Sequence, residues 1–438
     1  MSLRLYTVAQ YLMLPWLLLY LCWRGFRNAA YYRHWNQRFG FTPRLPRGQR
    51  SVWIHAVSVG EVQAALPLVR KLRLRYPDAQ LLVTTTTPTG AARVRHALDH
   101  NVSHSYVPYD VPSAAHRFLD RAHPDLAIIM ETELWPNLFT SCKRRSIPVL
   151  VANARLSERS LHRYQKISRL ARTMLSSVSA IAAQTVADAE RFVALGTPPS
   201  KVTITGSIKF DIDLPLGLLS DAQAMRGQWG VQRPVWIAAS THENEDEQIL
   251  DAFAQVLRAK SDTLLVLVPR HPERFARVAA LCRRHGYTTA LRSQRRDADA
   301  LDVFIGDSMG ELLLFYGTAD VAFVGGSLVP VGGHNPLEPA ALGVPIVMGP
   351  HVFNFAEIST RLCAAGAAQI VHNAKELAEV VIELLQNRER CQSMGQRGKR
   401  FVQQNRGALE RLLTLVDALL PEHPSRSGNR SSCTAQGL

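Results

Sequence analysis

The sequence predicts an α/β protein of two doubly wound parallel sheets, preceded by one apolar helix. Three observations predict it. After residue 50, short apolar runs alternate with helical patterns, the signature of parallel strands covered by helices on both faces. The alternation comes as two series, separated by a stretch rich in turn residues (Gly206, Pro215, Gly217, Gly227, Gly230, Pro234). Ahead of both lies a nearly uninterrupted apolar run from Leu3 to Trp23. The 438 residues exceed what one ordinary core accommodates, and the 47% apolar and 20% charged content is normal for a globular chain.

The N-terminal run is broken only by Arg4, Gln10 and small polar residues, and about 20 apolar residues suffice to cross a bilayer core. Trp16, Tyr20 and Trp23 are of the interfacial aromatic type, and Arg24, Arg27, Arg33 and Arg38 follow. Positive charge behind the apolar run places the rest of the chain in the cytoplasm and argues against a cleaved signal peptide. An interfacial helix that does not cross is the alternative, and Pro15 keeps it open. The first series of strands is expected at 52–57, 81–85, 126–130, 149–152 and 180–183, the second at 235–239, 264–268, 303–305, 321–324 and 345–348. The aperiodic tail from Pro421, rich in Ser, Pro, Arg and Gly, is expected to be disordered.

Charge is uneven. Formal net charge is +15, and residues 1–60 hold eight arginines and no carboxylate. A localised basic block suits anionic lipid or an acidic substrate, whereas no basic–aromatic repeat or nucleic-acid motif is present. The six cysteines lack CxxC or metal-ligand spacing, which suits reduced thiols.

The first carboxylate is Glu61, after an apolar run and the small-residue turn Ser58-Val59-Gly60. The helix that follows, with Val62, Leu66, Val69 and Leu72 on one face, puts Glu61 at a helix N-terminus beyond a strand end, where open α/β sheets bind ligands. The plain alternative is a charge that favours the helix dipole. Glu131 and Glu133 appear as another strand ends, before Pro136. Alternation along an extended chain points them apart, so one faces a ligand while the other caps the next helix. Lys209, near the junction of the two series, can stabilise negative charge. Pro269 and Arg270 follow a buried strand, in position to clamp an anion. Met309, Gly310 and Glu311 follow another, beside Asp307 and Ser308, which are equally suited to capping. The densest signal is the segment from Gly325 to Pro339, where paired glycines let a backbone come close to a ligand and Asn335, Pro336, Leu337 and Glu338 open a helix.

Four of these segments together, Ser-Val-Gly-Glu at 58–61, Glu-Thr-Glu-Leu-Trp-Pro-Asn at 131–137, Gly-Ser-Ile-Lys-Phe-Asp at 206–211 and Gly-Gly-His-Asn-Pro-Leu-Glu-Pro at 332–339, resemble the 3-deoxy-D-manno-octulosonic acid (Kdo) transferases of lipopolysaccharide assembly. The resemblance runs from the N-terminal segment to about residue 418. It implies a GT-B glycosyltransferase, two Rossmann-like domains facing a central cleft plus an N-terminal membrane helix. It also implies CMP-Kdo as donor, the lipid A precursor as acceptor, and a place on the cytoplasmic face of the inner membrane, with no cofactor and no catalytic metal. In that reading Glu61 is the general base, and Glu131 and Lys209 stabilise the transition state. Pro269, Arg270, Met309, Gly310, Glu311, Asn335, Pro336, Leu337 and Glu338 hold the CMP. The expected division is a membrane anchor over 1–24, an acceptor domain over 25–206, a donor domain over 207–420 and a free tail over 421–438. The rivals are a sugar-nucleotide epimerase or UDP-sugar transferase of the same fold, and a lipid A-binding protein without activity. The apolar N-terminus and early Glu61 speak against the epimerase, and the intact Glu61, Glu131 and Lys209 against the binding protein.

Overall fold

A computed structural model describes residues 1–98, 102–294 and 301–420. The chain forms two compact units: one runs to Asp211 and resumes at Gly407, and the other spans Ile212–Arg406. The expected free tail lies outside the described residues.

The first unit holds strands β1 (Ser51–His55), β2 (Gln80–Thr85), β3 (Val102–Tyr106), β4 (Leu126–Met130), β5 (Val149–Ala154), β6 (Ala180–Ala183) and β7 (Val202–Ile204). They form one parallel sheet in the order β3-β2-β1-β4-β5-β6-β7. All five residues of β1 are buried because both faces are covered. Val52 and Ile54 pack on one side against Val62, Leu66, Val69 and Leu72 of the helix Val59–Arg75, while Trp53 packs on the other against Phe118.

The second unit holds β8 (Val235–Thr241), β9 (Leu264–Pro269), β10 (Thr289–Leu291), β11 (Val303–Ile305), β12 (Val321–Val324), β13 (Ile346–Met348) and β14 (Ala368–Ile370). Its parallel order is β10-β11-β9-β8-β12-β13-β14. The strand order switches direction between β1 and β4 in the first sheet and between β8 and β12 in the second. Such a switch point opens a crevice beyond the carboxyl ends of the strands.

The sequence expectation put the last helix with the second unit. Instead the helix Ala408–Leu419 returns to the first, where Leu409, Leu412, Leu413 and Val416 join the Val52–Ile54 core. Burying each of these side chains stabilises that contact by about 1.5–3 kcal/mol. Its N-terminus is held by Asp211, whose two carboxylate oxygens accept from the backbone N–H of Gly407 (2.6 Å) and Leu409 (2.7 Å). An amphipathic pattern announces a buried face without saying what covers it.

The N-terminal helix is continuous over Leu3–Arg27, with Pro15 inside it. It is long and apolar enough to cross a membrane.

Candidate active site

Glu61 lies in the first turn of the helix after β1, as expected, and the geometry shows why it is held there. Ser58 is the N-cap: its hydroxyl accepts from the Glu61 N–H (3.3 Å) and lies 3.1 Å from Glu61 Oε1. The backbone N–H of Val57 donates to Glu61 Oε2 at 2.9 Å. This is a capping box, two end groups satisfied reciprocally. The capping alternative and a site role therefore coexist in one side chain. Burial pushes the Glu61 carboxyl above the ordinary carboxylate range, the Val57 N–H pulls it back, and Glu131 adds to the rise. Gly60 departs from expectation. It lies within the helix, is exposed, and a Cβ there would meet nothing closer than Ser58 Oγ at 3.8 Å, so this turn does not require glycine.

Glu131 follows β4 directly, on the other side of the switch point. Its φ is +56°, a left-handed conformation costly for a glutamate. Asn153, inside adjacent β5 where its pairing with β6 shifts register, has φ +53°, a second left-handed residue beside Glu131. Lys209 Nζ lies 3.8 Å from Glu131 Oε1, with both side chains about a third exposed. The segment 206–211 divides its tasks. Ile208 is buried in the core, its N–H donates to Asn153 Oδ1 (3.2 Å), Lys209 meets Glu131, and Asp211 caps the last helix. Asp211-Ile212-Asp213 has Asp-x-Asp spacing, but its first carboxylate is committed to that cap. A second such triplet, Asp297-Ala298-Asp299, lies outside the described residues.

Glu133 does not cap the helix Pro136–Arg144, contrary to the expectation that one acid of the pair would. The cap comes from Asp110, a buried residue that sequence reasoning missed, whose carboxylate accepts from the N–H groups of Asn137 (3.1 Å) and Leu138 (2.8 Å). Glu133 is left among carboxylates. Burial first, then Glu61 and Glu131, push it up to about 7. Beneath them His55 is fully buried and neutral, its proton affinity lowered by burial to about 4, with Nδ1 2.9 Å from Thr84 Oγ1 and its ring edge-on to Trp135. Its Nε2, Asn153 Nδ2 and Ser207 Oγ are buried without a hydrogen-bond partner among the described residues.

In the second unit the paired glycines serve the fold first. A Cβ on Gly325 would meet Ser240 O at 2.7 Å, so the close approach is to the end of β8 rather than to a ligand. The amides that follow are already occupied. Buried Glu245 accepts from the N–H groups of Gly326 (2.7 Å), Ser327 (3.0 Å), Leu328 (3.0 Å) and His242 (3.1 Å). A nest of amides is an anion site, and here the anion is the protein's own carboxylate. Glu245 went unnoticed in the sequence because nothing around it marks a carboxylate as buried.

The loop so fixed carries His334, whose ring stacks on His242 at 5° with Nε2 to Nε2 2.8 Å. One imidazole donates and the other accepts, which requires the acceptor to be neutral, and burial keeps the donor neutral as well. Burial lowers His242 to about 4 and His334 to about 3. His271 meets His242 edge-on, and exposed Arg270 extends from the end of β9, its N–H donating to Thr241 O at 3.0 Å. Asn335 Oδ1 accepts from Leu337 N (3.1 Å) and its amide donates to Glu338 Oε1 (3.2 Å), opening the helix Leu337–Leu342 behind Pro336. The structure thus gathers Arg270, Asn335, Pro336, Leu337 and Glu338 beyond the carboxyl ends of β9 and β12, on either side of β8. Met309 is exposed and Gly310 has φ +89°. Glu311 is engaged by Arg292 in a two-pronged ion pair (3.1 and 2.9 Å), which holds its carboxyl below the ordinary range. Neither Asp307 nor Ser308 caps the helix Leu312–Thr318; Asp307 instead accepts from Ser293 N (2.9 Å).

Two units with parallel seven-stranded sheets, each with polar side chains gathered at its switch point, define a glycosyltransferase of the GT-B class. Residues 33–212 match the family model of 3-deoxy-D-manno-octulosonic-acid transferase, and residues 237–401 match that of glycosyl transferases group 1. The 3-deoxy-D-manno-octulosonic acid transferase of Haemophilus influenzae is 44% identical over 411 residues, 92% of this chain and 96% of that protein. The enzyme of the same name from Bordetella pertussis is 36% identical, over 84% of this chain and 86% of its own. Among solved structures, UDP-GlcNAc 2-epimerase from Neisseria meningitidis bound to UDP-GlcNAc shares the fold, with a TM-score of 0.54 at 13% identity over 84% of this chain and all of that one. The chain belongs to the 3-deoxy-D-manno-octulosonic acid transferase family.

Proposed function

We propose that the protein transfers Kdo from CMP-Kdo to a hydroxyl of the lipid A precursor at the cytoplasmic face of the inner membrane, releasing CMP. The observation that carries this reading is the grouping of Glu61, Glu131 and Lys209 at the switch point of the first sheet, with the Glu61 carboxyl raised by burial. In the reaction the acceptor oxygen attacks the anomeric carbon of Kdo, the bond to the CMP phosphate breaks, and the hydroxyl proton passes to Glu61. Glu131 favours the cationic sugar ring, and Lys209 offsets negative charge on the phosphate or the Kdo carboxylate. The open space at Gly60 lets the acceptor come close to Glu61. In the second unit Arg270, Met309, Gly310 and the residues Asn335–Glu338 hold CMP, with Pro269 and Glu311 in support. The N-terminal helix, with the arginines that follow it, attaches the protein to the membrane that contains the acceptor.

Mass spectrometry of the lipid formed from CMP-Kdo and lipid A precursor by pure protein tests the proposal. The expected product carries added Kdo, and its mass gives the number transferred. No product from folded protein, or product from a UDP-sugar instead, overturns the reading.

A further inference from the structure

The N-terminal helix passes the length test for a membrane span, yet its neighbours are wrong for one. Near its start, the Tyr6 hydroxyl donates to Asp110 at 2.9 Å, the Thr7 hydroxyl lies 2.8 Å from Asn137 Oδ1, and the Tyr11 hydroxyl is 3.2 Å from Ser113 Oγ. Asp110 is the same buried carboxylate that caps the helix Pro136–Arg144, so this attachment is to the body of the first unit. Near its end, Leu21 and Gly25 are buried, Tyr32 donates to the carbonyl of Cys22 at 2.9 Å, and the Tyr32 ring fills the space a Cβ on Gly25 would need. The helix is fastened to the body of the unit near its start and to the segment that directly follows it, Ala29–Tyr32, near its end.

A span cannot be fastened so. Tyr6 and Arg24 are 18 residues apart, about 27 Å along a helix axis at 1.5 Å per residue. The hydrocarbon core is about 30 Å thick. With Arg24 and Arg27 among the headgroups of one leaflet, Tyr6 would sit at the other, pulling Asp110, Asn137 and the sheet behind them into lipid.

The outward face names what covers it. Leu5, Val8, Leu12, Trp16, Leu19, Trp23 and Phe26 are all exposed and recur every three or four residues, a single stripe along the whole helix. The facing positions Leu3, Thr7, Gln10, Leu14, Leu17 and Leu21 are partly or fully covered. Arg24 and Arg27 lie over the rings of Tyr20 (5.3 Å) and Trp23 (4.4 Å), cations stacked on aromatics of the kind that sit at headgroup level. Residues 1–60 carry no carboxylate to repel anionic lipid.

We propose that this helix lies in the plane of an anionic leaflet, its Leu5–Phe26 stripe in the acyl region and its opposite face on the catalytic unit, without crossing the bilayer. The proposal rests on the membrane attachment proposed above and changes its form: both ends of the helix stay on the cytoplasmic side.

The test places an epitope tag ahead of Met1 in the full-length protein in cells. Sedimentation of the protein with membranes checks attachment by itself; recovery in the soluble fraction, as a dimer with the stripe covered by a second copy, overturns attachment and proposal together. Protease is then applied to sealed vesicles of both orientations. Loss of the tag only from inside-out vesicles is the expected result. Loss only from right-side-out vesicles overturns the in-plane helix while leaving attachment, and Kdo transfer measured on the same membranes, intact. The Tyr6→Phe and Trp16→Glu variants separate fastening from insertion. Purified Trp16→Glu is expected to lose about tenfold or more in binding to vesicles containing anionic phospholipid, whereas Tyr6→Phe retains that binding; equal binding by Trp16→Glu and wild type overturns the assignment of the stripe.

Discussion

The decisive prediction concerns Glu61, which the structure shows as a capping residue and the proposed mechanism needs as a base. Glu61→Gln separates the two. A glutamine oxygen still accepts from the Val57 N–H, now at 2.9 Å, and its amide can donate to the Ser58 hydroxyl, now 3.1 Å from Oε1. Glutamine serves at this position of a capping box as glutamate does. Loss of the cap outright, as in Ser58→Ala, costs about 1 kcal/mol, a fall of roughly 2–4 °C in Tm for a unit of this size. Glu61→Gln is expected to fall less than that. Its amide cannot take a proton from the attacking hydroxyl, so kcat falls by about 10²–10⁴-fold, some 2.7–5.4 kcal/mol on the barrier. The assay pairs thermal melts with initial rates of Kdo transfer and CMP binding by calorimetry, which should be unchanged. Near-normal turnover in the folded variant removes Glu61 from the chemistry. A melt depressed further than that of Ser58→Ala refutes the reasoning about the cap.

Three further outcomes follow from the geometry. Arg270→Ala should weaken CMP binding about tenfold, the worth of one charge-assisted contact, with kcat little changed; unaltered affinity by calorimetry counts against the clamp. Glu245→Ala leaves four amides without their acceptor and should lower stability in urea by about 3–5 kcal/mol, whereas a loss under 1 kcal/mol would mean the nest is met by water. Glu133, pushed up to about 7, holds its proton more tightly folded than unfolded. Its contribution to stability is therefore complete below the ordinary carboxylate range and is lost as pH rises through about 7. Glu133→Gln should flatten the decline in Tm between about pH 5 and pH 7, and an unchanged slope would place the titration elsewhere.

The ten strands expected from the sequence are the inner strands, and all are present. The four it passed over, β3, β7, β10 and β14, are the outer strands of the two sheets. Burial on both faces writes a continuous apolar run such as Val-Trp-Ile, whereas an outer strand such as β7 is half-exposed and reads as Val-Thr-Ile, indistinguishable from a loop. The site divides in the same way. Glu61 was legible because it follows an apolar run at a helix start. The partners of the site residues were not: Asp110 caps a helix 26 residues downstream, and Asp211 one nearly 200 residues away. Long-range capping leaves no local signal. The glycines at 325 and 326 were legible as a close approach, but not the objects approached, which are the protein's own strand end for Gly325 and the His334 and His242 rings for Gly326.

Because the chain leaves the first sheet at Asp211 and rejoins it at Gly407, the second unit is one unbroken segment and the first is not. During synthesis the whole of the second unit emerges before the helix that completes the first. The Val52–Ile54 core is left without Leu409, Leu412, Leu413 and Val416 until the ribosome is almost finished. The later-encoded unit is thus the earlier to have all its parts. A chain cut short before Gly407 would lack the last wall of the unit that carries Glu61 while keeping every residue of the other.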